Sequence, residues 1–437
     1  MRNAIVLVPL LLCLFGCALL PRRLPQQEPI VRVLLFSDAR EVTFTSSEQF
    51  QCFRSQEQTS VLPANTQIQF RSLGQGIEWS MGQQSLGSAP EFVALAGRTP
   101  HAECMLSKVV GEQGDAEWPE GRKYQGILEI RRQSNGNLSG ICQLPLEQYL
   151  CGVVPSEIGA QAPFEAQKVQ AIAARTETLS ALADRRYAGD HYDICSTVMC
   201  QVFTGRTMCT PETDLAVFET RGVAMLHQGK TIGAFYASNC GGHSEHSENV
   251  WKARGFLPYC RGISDSSKRI RLDLSREDDF SKWIASMPDC YCNPSNPGIP
   301  DWAKRRFRWE RRVSAEDLQR WVTKVKGIGR IQSVKPLARG ISGRIIELEF
   351  KGENGTCVAG PELPIRRLFE PMLYSAAFTI EPVGQEEFPA SFLIRGAGSG
   401  HGVGLCQVGA MGMAGRGMKC DKILKHYFTG IKLRKMY

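Results

Sequence analysis

The sequence predicts an α+β fold, in which a β-rich N-terminal region precedes a mixed core of strands and a few helices. From residue 31 to about 142, short runs of alternating apolar residues are separated by Gly, Ser and Asn, which is typical of antiparallel strands. From about 163 to 182, apolar residues recur at steps of three and four, as on the buried face of a helix. Helix-like and strand-like segments alternate again from residue 314 onward.

The composition is that of a globular protein. The chain has 437 residues, of which 43% are hydrophobic and 22% charged, and this excludes a mainly disordered, collagen-like or low-complexity protein. The length allows two or three domains, or one large domain with insertions. The net charge of +8 is spread along the chain and does not indicate a nucleic-acid partner.

The first segment predicts export. Arg2 precedes an uncharged stretch at 4–20, which is short for a membrane-spanning helix and fits a signal peptide over residues 1–20. Leu14-Phe15-Gly16-Cys17 resembles a bacterial lipobox, so Cys17 is a candidate lipid anchor; a plain signal peptide and an uncleaved anchor are the alternatives. The Pro- and Gln-rich segment 21–30 is interpreted as a tether. Sixteen Cys residues suit an oxidising compartment.

Individual elements follow from local patterns. The segments 31–36, 67–70 and 126–130 are predicted strands of a region spanning 31–143, and Asn135-Gly136 is typical of a hairpin turn. A further strand is predicted at 231–237, a small-residue helix at 409–414, and an amphipathic helix near 423–428 that Gly430 ends. The charged segment 264–312 is interpreted as an insertion. Its basic cluster at 304–312 is interpreted as a solvated face or a linker.

One carboxylate is a candidate for proton transfer. Pro155 and Glu157 follow the run LPLEQYL, and Glu157 is predicted to lie in a turn between a strand-like run and the long helix. Partial desolvation there would raise the pKa of this carboxyl and suit it to proton donation. The alternative is an ordinary acidic residue in the first turn of a helix.

Two neighbouring polar motifs allow weaker hypotheses. Ser238 follows a predicted strand, but the G-x-S-x-G pattern of a nucleophilic serine is absent around it, and a strand followed by a turn is the alternative. His243 and His246 suggest a metal site, yet the sequence lacks H-E-x-x-H there, which favours a polar loop at the edge of a cleft.

Two further motifs contain potential ligands. His191, Cys195 and Cys200 are suitable zinc ligands, and a Cys195–Cys200 disulfide is the alternative. His401 lies in a loop with alternating glycines that matches neither G-x-G-x-x-G nor a P-loop, so nucleotide binding is not expected. Its imidazole is predicted to contact a substrate, with a packed core histidine as the alternative.

Four long motifs in order resemble the SpoIID/LytB family, the stage II sporulation protein D group with its amidase-enhancer relatives. They are LPLEQYLCGVVPSEI, PFEAQKVQAIAARTETL, FYASNCGGHSEHSENVW and GAGSGHGVGLCQVGAMGMAGRGMKC. The resemblance covers residues 144–437, which it identifies as a catalytic domain, and extends to 21–143 only as a loosely similar β-rich leader.

The resemblance implies a glycan-binding cleft and a lytic transglycosylase that acts on peptidoglycan glycan strands, with a preference for strands lacking stem peptides. The family's catalytic Glu corresponds to Glu157. The residues that the resemblance places along the cleft as substrate-binding are Arg175, Tyr236, Ser238, His401 and Gln407. No cofactor is required for this reaction, but a clostridial branch has a His/Cys/Cys zinc site in the region of His191, Cys195 and Cys200.

The expected location is the bacterial envelope, in the periplasm or on the cell surface, with membrane contact only through the N-terminal signal or a lipid on Cys17. The expected partners are peptidoglycan glycan strands and a cell-wall amidase or other wall-remodelling proteins. Two alternatives to the transglycosylase remain. One is a non-catalytic glycan-binding activator of an amidase, and the other is a zinc peptidase or amidase centred on His243 and His246, which the missing H-E-x-x-H disfavours.

Overall fold

The computed structural model describes residues 27–54, 57–111, 116–268, 270–384 and 386–437. The predicted signal segment 1–20, the lipobox cysteine Cys17 and tether residues 21–26 lie outside these ranges. The last tether residues contact the folded chain, since the Glu28 carboxylate accepts a hydrogen bond from the Glu147 amide at 2.9 Å. Within the described ranges, no helix combines the length and the apolarity needed to cross a bilayer.

The N-terminal region is an antiparallel sheet that curls into a nearly closed barrel. Its strands pair in the order β3-β2-β7-β10-β11-β1-β4-β5-β6, with β8 on β1 and β9 on β8. The strands are β1 (Ile30–Ser46), β2 (Phe50–Arg54), β3 (Glu57–Leu62), β4 (Ile68–Leu73), β5 (Gly76–Met81), β6 (Gln84–Ala89), β7 (Phe92–Gly97), β8 (Glu103–Gly111), β9 (Ala116–Gln125), β10 (Ile127–Arg132) and β11 (Leu138–Pro145).

Strand β1 organises this sheet because it is 17 residues long. Its first half pairs with β11, and its second half pairs with β4 along one edge and β8 along the other. Burial alternates along it, with Val31 and Val33 fully buried, as a strand with one face in the core requires. The predicted hairpin turn is confirmed between β10 and β11, where the Gly136 amide donates to the Gln133 carbonyl at 3.0 Å.

Three helices follow the sheet: α1 (Leu146–Ile158), α2 (Phe164–Ala183) and α3 (Pro211–Glu219). Helix α2 confirms the predicted long helix, and it begins one residue later, with Pro163 at the N-cap. Helix α1 differs from the prediction, which put a strand-like run and a turn here. Leu146, Leu150 and Val153 are fully buried at steps of four and three, so packing of one helical face overrides the local β preference.

The remaining elements form smaller sheets with helices between them. The sheets are β14-β13-β23, the parallel pair β15-β22, β16-β21-β20 and β17-β18-β19, while β12 pairs with β1. The strands are β12 (Ile194–Cys195), β13 (Val223–His227), β14 (Lys230–Thr231), β15 (Tyr236–Ala237), β16 (Arg308–Ser314), β17 (Ile331–Arg339), β18 (Ile345–Gly352), β19 (Gly355–Ala359), β20 (Phe378–Val383), β21 (Ser391–Ala397), β22 (Leu405–Cys406) and β23 (Lys432–Lys435). The helices are α4 (Ser247–Val250), a 3-10 turn (Lys252–Arg254), α5 (Glu277–Ala285), α6 (Asp301–Lys304), α7 (Ala315–Thr323), α8 (Glu362–Arg367), α9 (Gln407–Gly415) and α10 (Cys420–Tyr427).

The predicted strand at 231–237 is only partly formed, as the end of β14 and the short β15. The reason is visible at Ala234, whose amide donates to the Glu177 carboxylate at 3.0 Å instead of to a neighbouring strand. The basic cluster at 304–312 is not a linker, because Arg308 to Arg312 pair in register with β21. Phe307, immediately before this strand, is fully buried and anchors it.

Two main hydrophobic cores hold the chain together. The larger one is continuous from the N-terminal sheet through α1, α2, α9 and α10. The second lies between 313 and 394 and includes Leu318, Phe350 and Phe392. The elements that carry the candidate site residues belong to the larger core, so the site rests on the most extensively packed part of the chain.

Candidate functional site

Glu157 lies in the last turn of α1, and Pro155 precedes it within the helix. A proline has no amide hydrogen, so the Cys151 carbonyl, four residues earlier, loses its helical partner. The Cys209 thiol donates to that carbonyl instead, at 3.1 Å. The helix therefore continues past Pro155 to Ile158, and this continuation brings Glu157 into contact with the segment that follows β12.

The Glu157 carboxyl is mostly buried and has neutral donors around it. The Val202 amide donates to Oε1 at 2.6 Å. Burial raises the pKa of Glu157 to about 7, although hydrogen bonds from Val202, Tyr236 and Gln407 act in the opposite direction. A carboxyl with this pKa is partly protonated at neutral pH, so it can donate a proton and afterwards take one back.

Tyr236 and Gln407 approach Glu157 from the parallel pair β15-β22. The Tyr236 hydroxyl is buried and makes no hydrogen bond of ordinary geometry within the described residues, although it lies close enough to lower the pKa of Glu157. Gln407, the first residue of α9, donates to the Glu157 backbone carbonyl at 3.3 Å and to the Gln170 amide oxygen at 3.2 Å. The structure thus brings three of the predicted site residues together.

The glycine-rich loop before β22 runs against the segment around β15. Asn239 and Ser399 exchange two backbone hydrogen bonds, at 3.0 and 2.8 Å. A Cβ on Gly404 would lie 2.3 Å from the Phe235 carbonyl oxygen, and Gly404 has a φ of 73°, so only glycine allows this approach. The alternating glycines therefore serve close packing of two backbone segments, which fixes Tyr236 and Ser238 relative to the loop that carries His401.

His401 projects from that loop as a neutral imidazole. Burial, reinforced by the charge of Arg344, lowers its pKa to about 3. The Val403 amide donates to Nδ1 at 3.0 Å, which leaves the hydrogen on Nε2. The ring packs on Trp251, with 4.8 Å between ring centroids. His401 can therefore donate a hydrogen bond but does not carry a charge at neutral pH.

Arg175 differs from its expected substrate-binding role. Its side chain has no exposed surface, and its guanidinium donates to both oxygens of the Glu147 carboxylate, at 2.8 and 2.7 Å. The Val223 carbonyl accepts from Nη1 at 3.1 Å. With its donors used inside the core, Arg175 joins α2 to the start of α1 and has no open side from which to contact a sugar.

Two site residues come from the segment that the sequence interpretation treated as a charged insertion. Arg306 donates to the Ser238 hydroxyl at 3.2 Å. Trp302, in α6, is 42% exposed, and its ring would lie 3.7 Å from a Cβ placed on Gly159, two residues after Glu157. Arg306 also lies over the Trp302 ring, 5.7 Å from its centroid. The available signal was an aromatic residue beside a basic cluster.

The predicted zinc triad is only partly assembled. The sulfur atoms of Cys195 and Cys200 are 3.0 Å apart, and the Tyr187 hydroxyl lies 3.2 Å from the Cys200 sulfur. His191 is exposed and lines a separate polar depression of about 560 Å³ with Arg32. This depression does not include Glu157. Zinc at the triad and the Cys195–Cys200 disulfide both stay predictions.

His243 and His246 have local backbone partners. His243 Nδ1 lies 2.7 Å from the Ser244 carbonyl oxygen, and the Gly262 amide donates to His246 Nδ1 at 2.9 Å. In the described ranges, one group of side chains has ligand atoms close enough together to hold a metal ion, and it contains neither histidine. That group consists of Cys240, Asp265, Cys292 and Cys406, all buried, with ligand atoms within 4.8 Å of one another.

Two family models match separate parts of the chain. A family model described as "Stage II sporulation protein" matches residues 134–227, which contain α1, Glu157 and α2. A second model, described as "Domain of unknown function (DUF8618)", matches residues 245–404.

Several relatives match most of the chain. An uncharacterized protein of Brachyspira hyodysenteriae is 27% identical over 74% of this chain and 76% of its own length. The stage II sporulation protein D of Bacillus subtilis is 26% identical over 70% of this chain and 78% of its own length. The amidase enhancer of Bacillus subtilis is 23% identical over 65% of this chain, but the match spans only 40% of that relative. The family model at α1 and α2, together with these relatives, confirms the predicted resemblance of the chain to the SpoIID family.

Proposed function

We propose that this chain is a peptidoglycan lytic transglycosylase that cleaves the β-1,4 bond between N-acetylmuramic acid and N-acetylglucosamine in glycan strands lacking stem peptides. The observation that carries the proposal is the Glu157 carboxyl, which is desolvated, is contacted by neutral donors and has a pKa raised to about 7. The match of residues 134–227 to the stage II sporulation protein family model supports the same assignment.

The reaction needs one group that gives and then recovers a proton. Protonated Glu157 would donate to the glycosidic oxygen as the bond to the sugar C1 breaks, which leaves an oxocarbenium-like centre. The Glu157 carboxylate would then take the proton from the C6 hydroxyl of the same sugar. That oxygen attacks C1 and closes a 1,6-anhydro ring, so no water is consumed and the carboxyl returns to its starting state.

This chemistry does not require a second free carboxylate. Glu177 is another buried acid near Tyr236, but its oxygens already accept hydrogen bonds from Arg186 and from the Ala234 amide. A glutamate paired in this way is a poor nucleophile and a poor base. An ordinary hydrolase would need a second carboxylate free to act on water or on the sugar.

The other candidate residues have supporting roles in this proposal. The Tyr236 hydroxyl and the Gln407 amide bias the protonation state of Glu157. His401 Nε2, Ser238 and Arg306 offer hydrogen-bond donors for the acetamido and hydroxyl groups of the sugars. Arg175 acts as a positioning residue through Glu147 and α1, not as a group that contacts the glycan.

A second candidate function is the non-catalytic activation of a cell-wall amidase. The observation that favours it is the similarity to the amidase enhancer of Bacillus subtilis. In that case the cleft would bind glycan without cleaving it. Export to the bacterial envelope, a lipid on Cys17 and an amidase partner belong to the proposal in either form.

The deciding experiment is product analysis. Purified protein is incubated with glycan strands from which the stem peptides have been removed, and 1,6-anhydro ends are quantified by mass spectrometry. We expect such ends with the native protein and none with Glu157→Gln, which keeps the shape of the side chain but cannot cycle a proton.

Glu219→Gln is the matched control, because Glu219 is exposed and pairs only with Lys168 at 3.1 Å among its described contacts. It should leave the product yield unchanged. If native protein releases no anhydro ends but stimulates an added amidase, the activator function replaces the enzyme. If both Glu157→Gln and the native protein release equal amounts, Glu157 is not the acid.

A further inference from the structure

A compact group of potential sulfur and oxygen ligands lies next to the candidate site in the chain, because Cys406 immediately precedes Gln407. Cys240 follows β15, Cys406 ends β22, and Cys292 and Asp265 come from the segment between 264 and 312. All four side chains are buried, and their ligand atoms lie within 4.8 Å of one another. Four donor atoms from three distant parts of the chain therefore converge on one point.

The spacing of the sulfurs distinguishes between two kinds of chemistry. The Cys240 and Cys292 sulfurs are 3.7 Å apart. A disulfide would bring them to about 2.05 Å. Two sulfurs bound to one tetrahedral zinc ion at about 2.3 Å each are separated by about 3.8 Å. The observed distance thus fits two ligands of one tetrahedral ion.

The ligand groups are held in place by their outer hydrogen bonds. The Cys406 sulfur accepts from the amides of Cys240, at 3.1 Å, and Gly409, at 3.3 Å. Asp265 accepts from the Tyr427 hydroxyl at 2.5 Å and from the Cys292 amide at 2.9 Å. A carboxylate oxygen has a lone pair left for a metal after accepting one hydrogen bond. Outer contacts of this kind fix ligand orientation in metal sites.

We propose that Cys240, Cys292, Cys406 and Asp265 bind one structural zinc ion. Three sulfurs and one carboxylate oxygen fill a tetrahedral shell with no position open for water or substrate, which is the arrangement of a structural site and not of a catalytic one. Soft sulfur ligands favour zinc over magnesium or calcium. This site is separate from the triad of His191, Cys195 and Cys200.

The proposed zinc ion would link elements that carry residues of the candidate site. Cys240 lies four residues after Tyr236, and Cys406 immediately precedes Gln407. An ion bound to Cys240, Cys406 and the ligands from 264–312 would join the ends of the parallel pair β15-β22 to the segment that also supplies Trp302 and Arg306. The zinc would therefore hold the two walls of the candidate site together without touching a glycan.

The test begins with metal analysis of the full chain purified without chelator. We expect about one zinc ion per chain by inductively coupled plasma mass spectrometry. Replacing zinc with cobalt should give sulfur-to-cobalt charge-transfer absorption and the visible bands of a tetrahedral ion. Asp265→Asn and Cys406→Ser should each lose most of the metal.

Two control variants identify the site that holds the ion. The double variant Cys195→Ser/Cys200→Ser removes the sulfurs of the predicted triad and should retain the zinc. Cys357→Ala removes a buried cysteine from β19 and should also retain it. If the double variant loses the zinc instead, the triad is the metal site and this proposal is overturned.

The wild-type measurement remains decisive even if the ligand variants fail to fold. Native protein without zinc, with a Cys240–Cys292 disulfide found by peptide mapping under non-reducing conditions, would overturn the proposal. So would zinc-loaded protein whose cobalt form lacks sulfur-to-cobalt absorption. Metal content does not depend on glycan cleavage, so a negative result in the product analysis leaves this test intact.

Discussion

The guanidinium of Arg175 and the carboxylate of Glu147 form a buried two-point ion pair, from Nε to Oε1 at 2.8 Å and from Nη2 to Oε2 at 2.7 Å. The Gly222 amide and the hydroxyl of Tyr437 donate to the same carboxylate. Burial alone would raise the pKa of Glu147, but Arg175 and these donors lower it below its usual value. The pair joins α1, α2 and the C-terminal end of the chain.

Arg175→Ala should destabilise the protein strongly, since it leaves a buried carboxylate without its cation. We expect a loss of about 3–5 kcal/mol in the free energy of unfolding, measured by urea denaturation at pH 7. Arg175→Lys should lose less, because it keeps the charge but not the two-point geometry. The matched control is Lys168→Ala on the same helix, whose partly exposed pairs are worth about 1 kcal/mol or less.

The pH dependence of this effect has a definite sign. The pKa of Glu147 is lowered in the folded state, so its contribution to stability is present above the unfolded pKa and is lost as the pH falls through the folded value. The difference between native protein and Arg175→Ala should therefore shrink in acid. Equal unfolding midpoints of Arg175→Ala and Lys168→Ala at pH 7 would contradict the assigned role.

Glycan cleavage should decline as the pH rises through about 7, because the proton on Glu157 is then lost. The measurement is kcat/KM for release of anhydro ends as a function of pH. In Tyr236→Phe, a group that lowers the pKa of Glu157 is removed, so the decline should move to higher pH. A Tyr236→Phe profile that falls in rate but keeps the native midpoint would show that Tyr236 does not tune this carboxyl.

The ionisation of Glu157 should also make the free energy of unfolding depend on pH, with a sign opposite to that of Glu147. A folded pKa raised above the unfolded one stabilises the protein at low pH, and this contribution is lost as the pH rises from about 4.5 to about 7. Glu157→Gln removes the cost of ionising a buried carboxyl, which is at most about 3 kcal/mol. The variant should therefore unfold at a higher urea concentration than native protein at pH 8 and at a similar one at pH 4.

Local patterns in the sequence predict some parts of this fold well and others poorly. Helix α2 and the N-terminal strands follow from periodicity, because one face of each element is buried in the nearby core. Helix α1 does not, since Val153-Val154-Pro155 has the local preferences of a strand, and only packing of Leu146, Leu150 and Val153 makes it helical. Its helical geometry is what carries Glu157 to the Val202 amide.

The candidate site shows the same division between local and long-range information. Glu157 and Tyr236 lie within motifs and could be identified from the sequence. The ion pair of Arg175 with Glu147 and the group of Cys240, Asp265, Cys292 and Cys406 depend on contacts between distant segments, which periodicity does not report. The strand within the basic cluster at 304–312 is hard to predict because its charges resemble those of a linker, whereas Phe307 is buried and Arg308 to Arg312 pair with β21.

Trp302 should contribute to glycan binding. Its ring is 42% exposed, lies beside Gly159, two residues after Glu157, and has Arg306 over one face. An exposed aromatic ring offers a flat apolar surface to the carbon-bound hydrogens of a sugar. Trp302→Ala should weaken binding of denuded glycan strands about tenfold, which corresponds to the loss of about 1.4 kcal/mol of contact energy.

Affinity is best measured in the Glu157→Gln background by isothermal titration calorimetry, so that the glycan is not cleaved during the experiment. Phe218→Ala is the matched control, because Phe218 is a 71% exposed aromatic residue at the end of α3. Both variants should unfold at the same temperature as their parent. If Trp302→Ala binds glycan as tightly as Phe218→Ala, the tryptophan does not contact the glycan, and its exposure is that of an ordinary surface residue.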